Sequence, residues 1–300
     1  MGGTEILRSN LEKRINPLEY GINLLTHFIT SADLKDGINV LWNHQNVDQP
    51  SIQGLTNPYL ANQLDAIVFV SNWQLENFRR HIELPLDKCY VIPNAIEPIE
   101  WIDKPRTQLE LIYTSTPWRG LDALLYLYEK MDRDDVHLHI YSSTKIYGDV
   151  FDKENGPVFT ELFDKAQQMK NVTYHGYATN DEVRQAVQNA HILSYPAIFE
   201  ETSCLSVIEA ASAGCQIVTS NLGALPETSC GFGMMTSMQE SMENFAQRYI
   251  PLLNNAIDNY WSRYDRGDYR AQANFFNKHY SWENRIGAWR ELFDQLGRSK

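Results

Sequence analysis

Apolar runs of strand length recur along this chain: INLLTHFI at 22–29, INVLWNH at 38–44, AIVFVS at 66–71 and CYVIPN at 89–94. A second series follows, LELIYTS at 109–115, VHLHIYSS at 136–143, NVTYHGY at 171–177, AHILSYP at 190–196 and CQIVTSN at 215–221. Most are continuous rather than alternating, the pattern of strands covered on both faces. Stretches of helical period lie between them, among them NWQLENFRRHI, GLDALLYLYEKM, NDEVRQAVQNA and LSVIEAASAG. Strand–helix alternation predicts parallel sheets built from right-handed βαβ units. The segment IEPIEWIDKPRT at 96–107 carries two prolines and several charges and reads as a junction. The pattern therefore predicts an α/β protein with an N-terminal parallel-sheet domain over 1–103 and a second over 104–275. The tail over 276–300 is expected to be helical through SWENRIGAWRELFDQLG, with Ser281 as the N-cap. A ligand is expected in the cleft between the two sheets, at their carboxyl edges.

Composition narrows the function classes. The chain is 43% hydrophobic and 12% aromatic, enough for two cores, and carries a net charge of −12. That charge argues against nucleic acid and anionic lipid, both of which want a basic face. The four cysteines show no CxxC spacing, which leaves neither a zinc knuckle nor a disulfide framework as the expectation. No apolar run approaches the roughly 18 residues of a membrane-spanning helix, and the start lacks a signal-peptide core. A soluble, cytoplasmic protein is expected. DRD at 132–134 precedes an apolar strand rather than following one, so it reads as a turn and not a metal motif; no metal site is expected. His137 and His139 share a strand face without a third ligand nearby in sequence. No GxSxG, P-loop or GxGxxG is present.

The chemistry concentrates in FEETSCLSVIEAASAGC at 199–215, where Glu201 and Glu209 flank a switch from polar to apolar. If SYP ends a strand, 197–204 is the crossing loop and a helix runs from about Leu205 to Ala213, with Gly214 to stop it. The unpaired N–H groups at such a helix start seat a phosphate, and Thr202 and Ser203 lie beside it. Glu209, one turn inside, is placed for ribose hydroxyls. Two glutamates at this spacing are commonplace in helices; their surroundings give them meaning.

YPAIFEETSCLSVIEAASAGCQIVTSNLGALPE resembles the donor-site signature of family 4 glycosyltransferases of the GT-B fold. Pro196, Glu201, Glu209, Ala210, Gly214, Pro226 and Glu227 match it; Ser203 and Cys204 stand where that family has Phe-Gly. AIVFVSNWQLENFRRHIELPLDKCYVIPNAIEP resembles its strand, serine, helix and hinge turn. IYTSTPWRGLDALLYLYEKM resembles its phosphate-binding stretch, with Arg119 at the lysine position and Ser115 or Thr116 near the place of a missing arginine. NVTYHGYATNDEVRQAVQNAHILSYP puts Tyr177 and Ala178 near the nucleobase. GGTE resembles the Gly-Gly loop, implying backbone contacts from Gly2 and Gly3, and INVLWNHQN nominates His44 to face the donor sugar. The family has a strand before this loop and a longer N-terminal domain; the chain starts at the loop, which implies truncation or a pared domain.

The resemblance implies two Rossmann-like domains facing a cleft, and transfer of a sugar from a UDP- or GDP-linked donor to a glycan, lipid-linked or small-molecule hydroxyl. Transfer would retain configuration and need no metal or other cofactor. Glu201, His44 and Arg119 would be catalytic. Gly2, Gly3, Ser115, Thr116, Tyr177, Ala178, Thr202, Ser203, Cys204, Leu205 and Glu209 would bind substrate. A non-catalytic nucleotide-sugar binder and a GT-B sugar-nucleotide epimerase stay open as alternatives.

Overall fold

A computed structural model describes residues 2–238 and 241–298. It resolves into two compact units. Among the described residues the N-terminal unit comprises 3–97, 201–203 and 280–298; the central unit comprises 98–200 and 204–279, together with Gly2. The chain passes from one to the other between Glu97 and Pro98, inside the proline-bearing segment singled out in the sequence.

The N-terminal unit holds a sheet of four parallel strands in the order β1 (Ile22–Leu25), β2 (Ile38–Asn43), β3 (Ala66–Phe69), β4 (Cys89–Val91). Register aligns Leu24 with Val40, Val40 with Ala66 and Phe69 with Val91. Its core joins Phe28, Leu41, Ile67, Phe69 and Phe78, all fully buried. The Asn72–His81 helix is capped by Ser71, whose hydroxyl accepts from the Gln74 N–H at 3.0 Å. The C-terminal Trp282–Arg298 helix belongs to this unit, and its Trp289 ring meets Trp42 edge-on at 4.8 Å. Ser281 caps that helix by accepting from the Asn284 N–H at 3.2 Å. The Gly-Gly pair does not form an extended loop: Gly3 already opens the Gly3–Glu12 helix, which buries Leu7 and Leu11.

The central unit holds six parallel strands. They are β5 (Leu109–Thr114), β6 (Val136–Tyr141), β7 (Val172–Tyr174), β8 (Ile192–Tyr195), β9 (Gln216–Ser220) and β10 (Met234–Thr236), in the spatial order β10-β9-β8-β5-β6-β7. Each apolar run of the sequence yields one strand; β10, three half-buried residues, has no such run behind it. From β5 the chain builds outward through β6 and β7, then returns to β8 on the other side of β5 and continues through β9 to β10. The strand order therefore reverses between β5 and β8, which pair with Leu111 opposite Ile192. At such a switch point the two connections leave in opposite directions and open a crevice beyond the carboxyl ends of the strands.

Glycine serves packing at the end of the Leu205–Ser212 helix. Gly214 sits at φ +75°, and an added Cβ would run into the Trp101 ring. We expect Gly214→Ala to lower stability by about 1–3 kcal/mol, from overpacking and a left-handed backbone together. Thermal denaturation checks this, and an unchanged melting temperature would contradict the packing described.

Candidate functional site

The crevice at the β5–β8 switch point is built from two loops pressed together. After β5, Thr116 precedes a short turn, Pro117–Arg119, and Gly120 leads into the Leu121–Met131 helix. After β8, Pro196 begins the crossing loop to the Leu205–Ser212 helix. The Ile198 N–H donates to the Arg119 carbonyl at 3.2 Å. The Ser206 hydroxyl donates to the Thr114 carbonyl, pinning the helix start to the end of β5. Below them the Tyr113 hydroxyl donates to the Thr116 carbonyl at 3.0 Å, and Ser115 and Tyr195 hydroxyls lie 3.4 Å apart.

Three features of this crevice suit an anion. Cys204, the N-cap of the Leu205–Ser212 helix, makes no side-chain cap bond, so no side chain of the cap competes for the first N–H groups. Thr116 is 4% exposed and its Oγ1 is buried without a hydrogen-bond partner. An orphaned hydroxyl of this kind costs about 1–3 kcal/mol unless a ligand meets it. Arg119 places its guanidinium carbon 4.9 Å from the centre of the Phe199 ring, a cation–π contact. Sequence reasoning found Arg119 but not Phe199; only an aromatic two positions before Glu201 was there to signal it.

Glu209 lies one turn into the helix and is largely buried, with 16% of its side chain exposed. Its Oε1 accepts from Arg184 Nη1 at 2.6 Å. Burial raises its pKa, and the Arg184 guanidinium opposes that rise. Arg184, in the middle of the Asn180–Asn189 helix, was not singled out from sequence, where it is one arginine on an ordinary amphipathic helix. Tyr177 and Ala178 follow β7; the Tyr177 ring is 45% exposed, and the Lys145 ammonium lies 5.8 Å from its centre. Lys145 also sits 3.9 Å from Asp149, so it faces Tyr177 and Asp149.

The remaining candidates fall in the N-terminal unit. Thr202 Oγ1 donates to the His44 carbonyl at 2.9 Å, and Ser71 Oγ donates to the Thr202 carbonyl at 2.7 Å. These bonds fasten the 201–203 segment to the carboxyl ends of β2 and β3. Glu201 is 2% exposed, and Ser203 is half-buried. The His44 ring packs 4.6 Å from the Trp42 indole, and its Nε2 is buried without a hydrogen-bond partner. Burial drives its pKa down to about 3. His44 is therefore a neutral imidazole at any ordinary working pH, suited to a hydrogen bond and not to supplying positive charge. Gly2 is buried and groups with the central unit, whereas Gly3 is exposed and groups with the N-terminal one.

Other clusters lie elsewhere. The DRD turn borders a charged hollow of about 600 Å³ at the amino ends of β6 and β7, opposite the edge that carries the crevice. Both of its lysines are paired within it, Lys170 with Asp134 at 2.6 Å and Lys165 with Glu129 at 2.8 Å. His139 gains neighbours that sequence spacing did not show: His175 at 3.0 Å and Glu110 at 2.9 Å. Among the described residues no group of three or more His, Cys, Asp or Glu side chains is placed to hold a metal ion, and no helix is long and apolar enough to cross a membrane.

Residues 111–255 match the family model "Glycosyl transferases group 1", a span that runs from within β5 to beyond β10. The chain is 26% identical over 184 residues to a subunit of the human phosphatidylinositol N-acetylglucosaminyltransferase, covering 58% of this chain and 36% of that protein. The chain thus spans about a third of the length of this curated relative, and 51% of the solved TarM chain that it also resembles. A glycosyltransferase from Rickettsia africae superposes with a TM-score of 0.67 at 15% identity, over 98% of this chain and 82% of that one. Sucrose-phosphate synthase from Thermosynechococcus elongatus does so with a TM-score of 0.67 at 14% identity, over 99% and 79%. Anabaena HepE, solved with UDP-glucose, gives 0.66 at 12% identity, over 88% and 73%. Two parallel-sheet α/β units with a C-terminal helical tail, and neighbours of this kind, make the fold GT-B.

Proposed function

We propose that this chain is a family 4 glycosyltransferase of the GGTE type, transferring a hexosyl or related sugar from a nucleoside-diphosphate donor to a hydroxyl acceptor. The observation that carries this reading is the crevice at the β5–β8 switch point. There the start of the Leu205–Ser212 helix, the unpartnered Thr116 hydroxyl and Arg119 lie on two adjoining loops, all within the residues matched by the group 1 family. In this reading the diphosphate sits against the Cys204–Leu205 backbone, Ser115, Thr116 and Arg119, and Glu209 accepts from the ribose hydroxyls. Tyr177 and Ala178 lie beside the base. Glu201, with Thr202, Ser203 and His44, addresses the sugar, and Gly2 and Gly3 contribute backbone only.

Breaking the bond to the anomeric carbon leaves charge on the departing diphosphate. Fixed donors aimed at that charge lower the barrier without reorganising, and here the cation and the helix start are those donors. The reaction so described needs no metal and no further cofactor. We assign no nucleophile: retention would arise by attack on the same face from which the diphosphate leaves. The acceptor is a glycan, lipid-linked or small-molecule hydroxyl, and the cytoplasm, where activated sugars are made, is the assigned compartment. HepE solved with UDP-glucose supports uridine as the first donor class to try, with guanosine next. One cation rather than two at the diphosphate favours, as the second reading, a protein that binds the donor without turning it over.

A melting-temperature panel with UDP, GDP and ADP sugars tests donor binding. A ligand at about 100 times its Kd should stabilise the protein by about 2.7 kcal/mol. One base is expected to give a clear shift, and Glu209→Ala to abolish it. A flat panel would remove the reading. Turnover with an acceptor mixture, unaltered by a chelator, separates transferase from binder.

A further inference from the structure

Glu209 is a carboxylate taken largely out of water inside a helix, a position that ordinarily favours the neutral acid. Its charged partner comes from a different helix. Arg184 reaches Glu209 Oε1 with Nη1 at 2.6 Å and donates from Nη2 to the Pro98 carbonyl at 3.3 Å, with only 18% of its side chain exposed. One turn further along the same helix, Gln188 Nε2 donates to the Glu100 carbonyl at 2.8 Å, so two side chains strap the 98–100 segment to this helix. The helix is itself fixed at its start by a reciprocal cap. The Thr179 N–H donates to Glu182 Oε2 at 2.7 Å, and the Glu182 N–H donates to Thr179 Oγ1 at 3.3 Å. Arg184 is thus held at its base and at its tip.

The Asp268–His279 helix meets the Glu209 helix through neutral side chains: Gln272 donates to the Ala211 carbonyl at 3.2 Å, and Asn277 bonds Ser212. The titratable groups of that helix are Asp268, Tyr269, Arg270, Lys278 and His279, the Leu225–Thr228 turn brings Glu227, the 98–100 segment brings Glu100, and the helix of Arg184 itself carries Asp181 and Glu182. Arg184 is the charge in direct contact with Glu209, at 2.6 Å.

We infer that Arg184 is a positioning residue that keeps Glu209 ionised and in one orientation for a ribose diol, so that the site prefers ribonucleotides to 2′-deoxyribonucleotides. The inference rests on the donor-binding reading above. A carboxylate offers about four acceptor positions; Arg184 takes one on Oε1, which leaves Oε2 and the remainder for two vicinal hydroxyls. A lysine could supply the charge, but not a planar fork reaching both the carboxylate and the Pro98 carbonyl.

The test is the dissociation constant of UDP and of 2′-deoxy-UDP, or of GDP and 2′-deoxy-GDP if the panel selects guanosine, for wild type, Arg184→Leu and Arg184→Lys from pH 6 to 9. Wild type is expected to prefer the ribonucleotide by about tenfold or more, one charge-assisted hydrogen bond being worth that much, and to lose affinity toward pH 6 less steeply than Arg184→Leu. Arg184→Leu is expected to bind the ribonucleotide about tenfold more weakly and to lose most of the preference. Without the arginine, burial alone sets the Glu209 pKa, so affinity should be lowest at pH 6 and recover as the pH rises and the carboxyl ionises. Arg184→Lys should restore the wild-type pH profile and part of the affinity. In a Glu209→Gln background, Arg184→Leu should change nothing further.

Retention of the ribose preference and of the wild-type pH profile in Arg184→Leu would overturn the inference while leaving donor binding intact. If Arg184→Leu does not fold, the lysine variant decides alone: an unchanged affinity and ribose preference there would overturn the positioning role. Wild type that binds no nucleoside diphosphate would overturn the functional reading, and this inference with it.

Discussion

Arg119→Met is expected to lower turnover by about 10²–10³-fold, the loss seen when one preorganised donor to a developing negative charge is removed. The guanidinium is the one full positive charge on the two crevice loops, its carbon 4.9 Å from the centre of the Phe199 ring. The helix start beside it contributes only about half an elementary charge, and that on backbone N–H groups already in place. Methionine preserves length and much of the contact with Phe199, so folding should be spared and the melting temperature should move by no more than about 3 °C. Arg119→Lys keeps the charge and should lie between the two. Initial rates at saturating donor decide the matter. Turnover of Arg119→Met within about threefold of wild type would remove Arg119 from the chemistry.

Gly120→Ala is expected to have the largest effect on stability. Gly120 has φ +133°, and an added Cβ would be driven into the carbonyl oxygen of Pro196. Both obstacles are backbone: no rotamer change relieves the contact, and an L side chain rarely adopts that φ. The contact can be relieved only by parting the β5 loop from the β8 loop, which also breaks the bond from the Ile198 N–H to the Arg119 carbonyl. A loss of about 4 kcal/mol or more is expected, in the range reserved for strain at a special backbone position. For a unit of this size that corresponds to a fall of roughly 10 °C in Tm. Melting within about 2 °C of wild type would mean the two loops are not held together in this way.

The two variants separate what the crevice does from what holds it closed. Arg119→Met should leave a stable protein that binds and turns over poorly. Gly120→Ala should lose both properties together, because the phosphate-facing groups and the clamp share one short turn.

Much of this was legible along the chain because it is local. Continuous apolar runs yielded the strands, and Gly214 and the small residues before it marked the end of the helix that starts at Leu205. The paired glutamates stood out through their spacing in that helix and its loop. The span between Tyr147 and Gln168 did not read as helix, although Asp149–Asn155 and Thr160–Gln168 are helical. Nor did β10, whose three residues owe their conformation to pairing with β9. His139 drew attention by its spacing from His137, but its bonded neighbours, Glu110 and His175, come from β5 and from beyond β7.

What the sequence determined by itself was the alternation of strands and helices, and hence parallel sheets whose polar, ligand-facing loops follow the strands. That information resides in periodicity, which nearest neighbours along the chain carry. What only the tertiary structure decided was the electrical state of the groups in those loops: Glu209 paired with Arg184 from another helix, His44 driven neutral by burial, and Gly120 made indispensable by a carbonyl 76 positions away. Charge, burial and steric contact depend on distances in space, and no pattern along the chain encodes which remote residue will arrive.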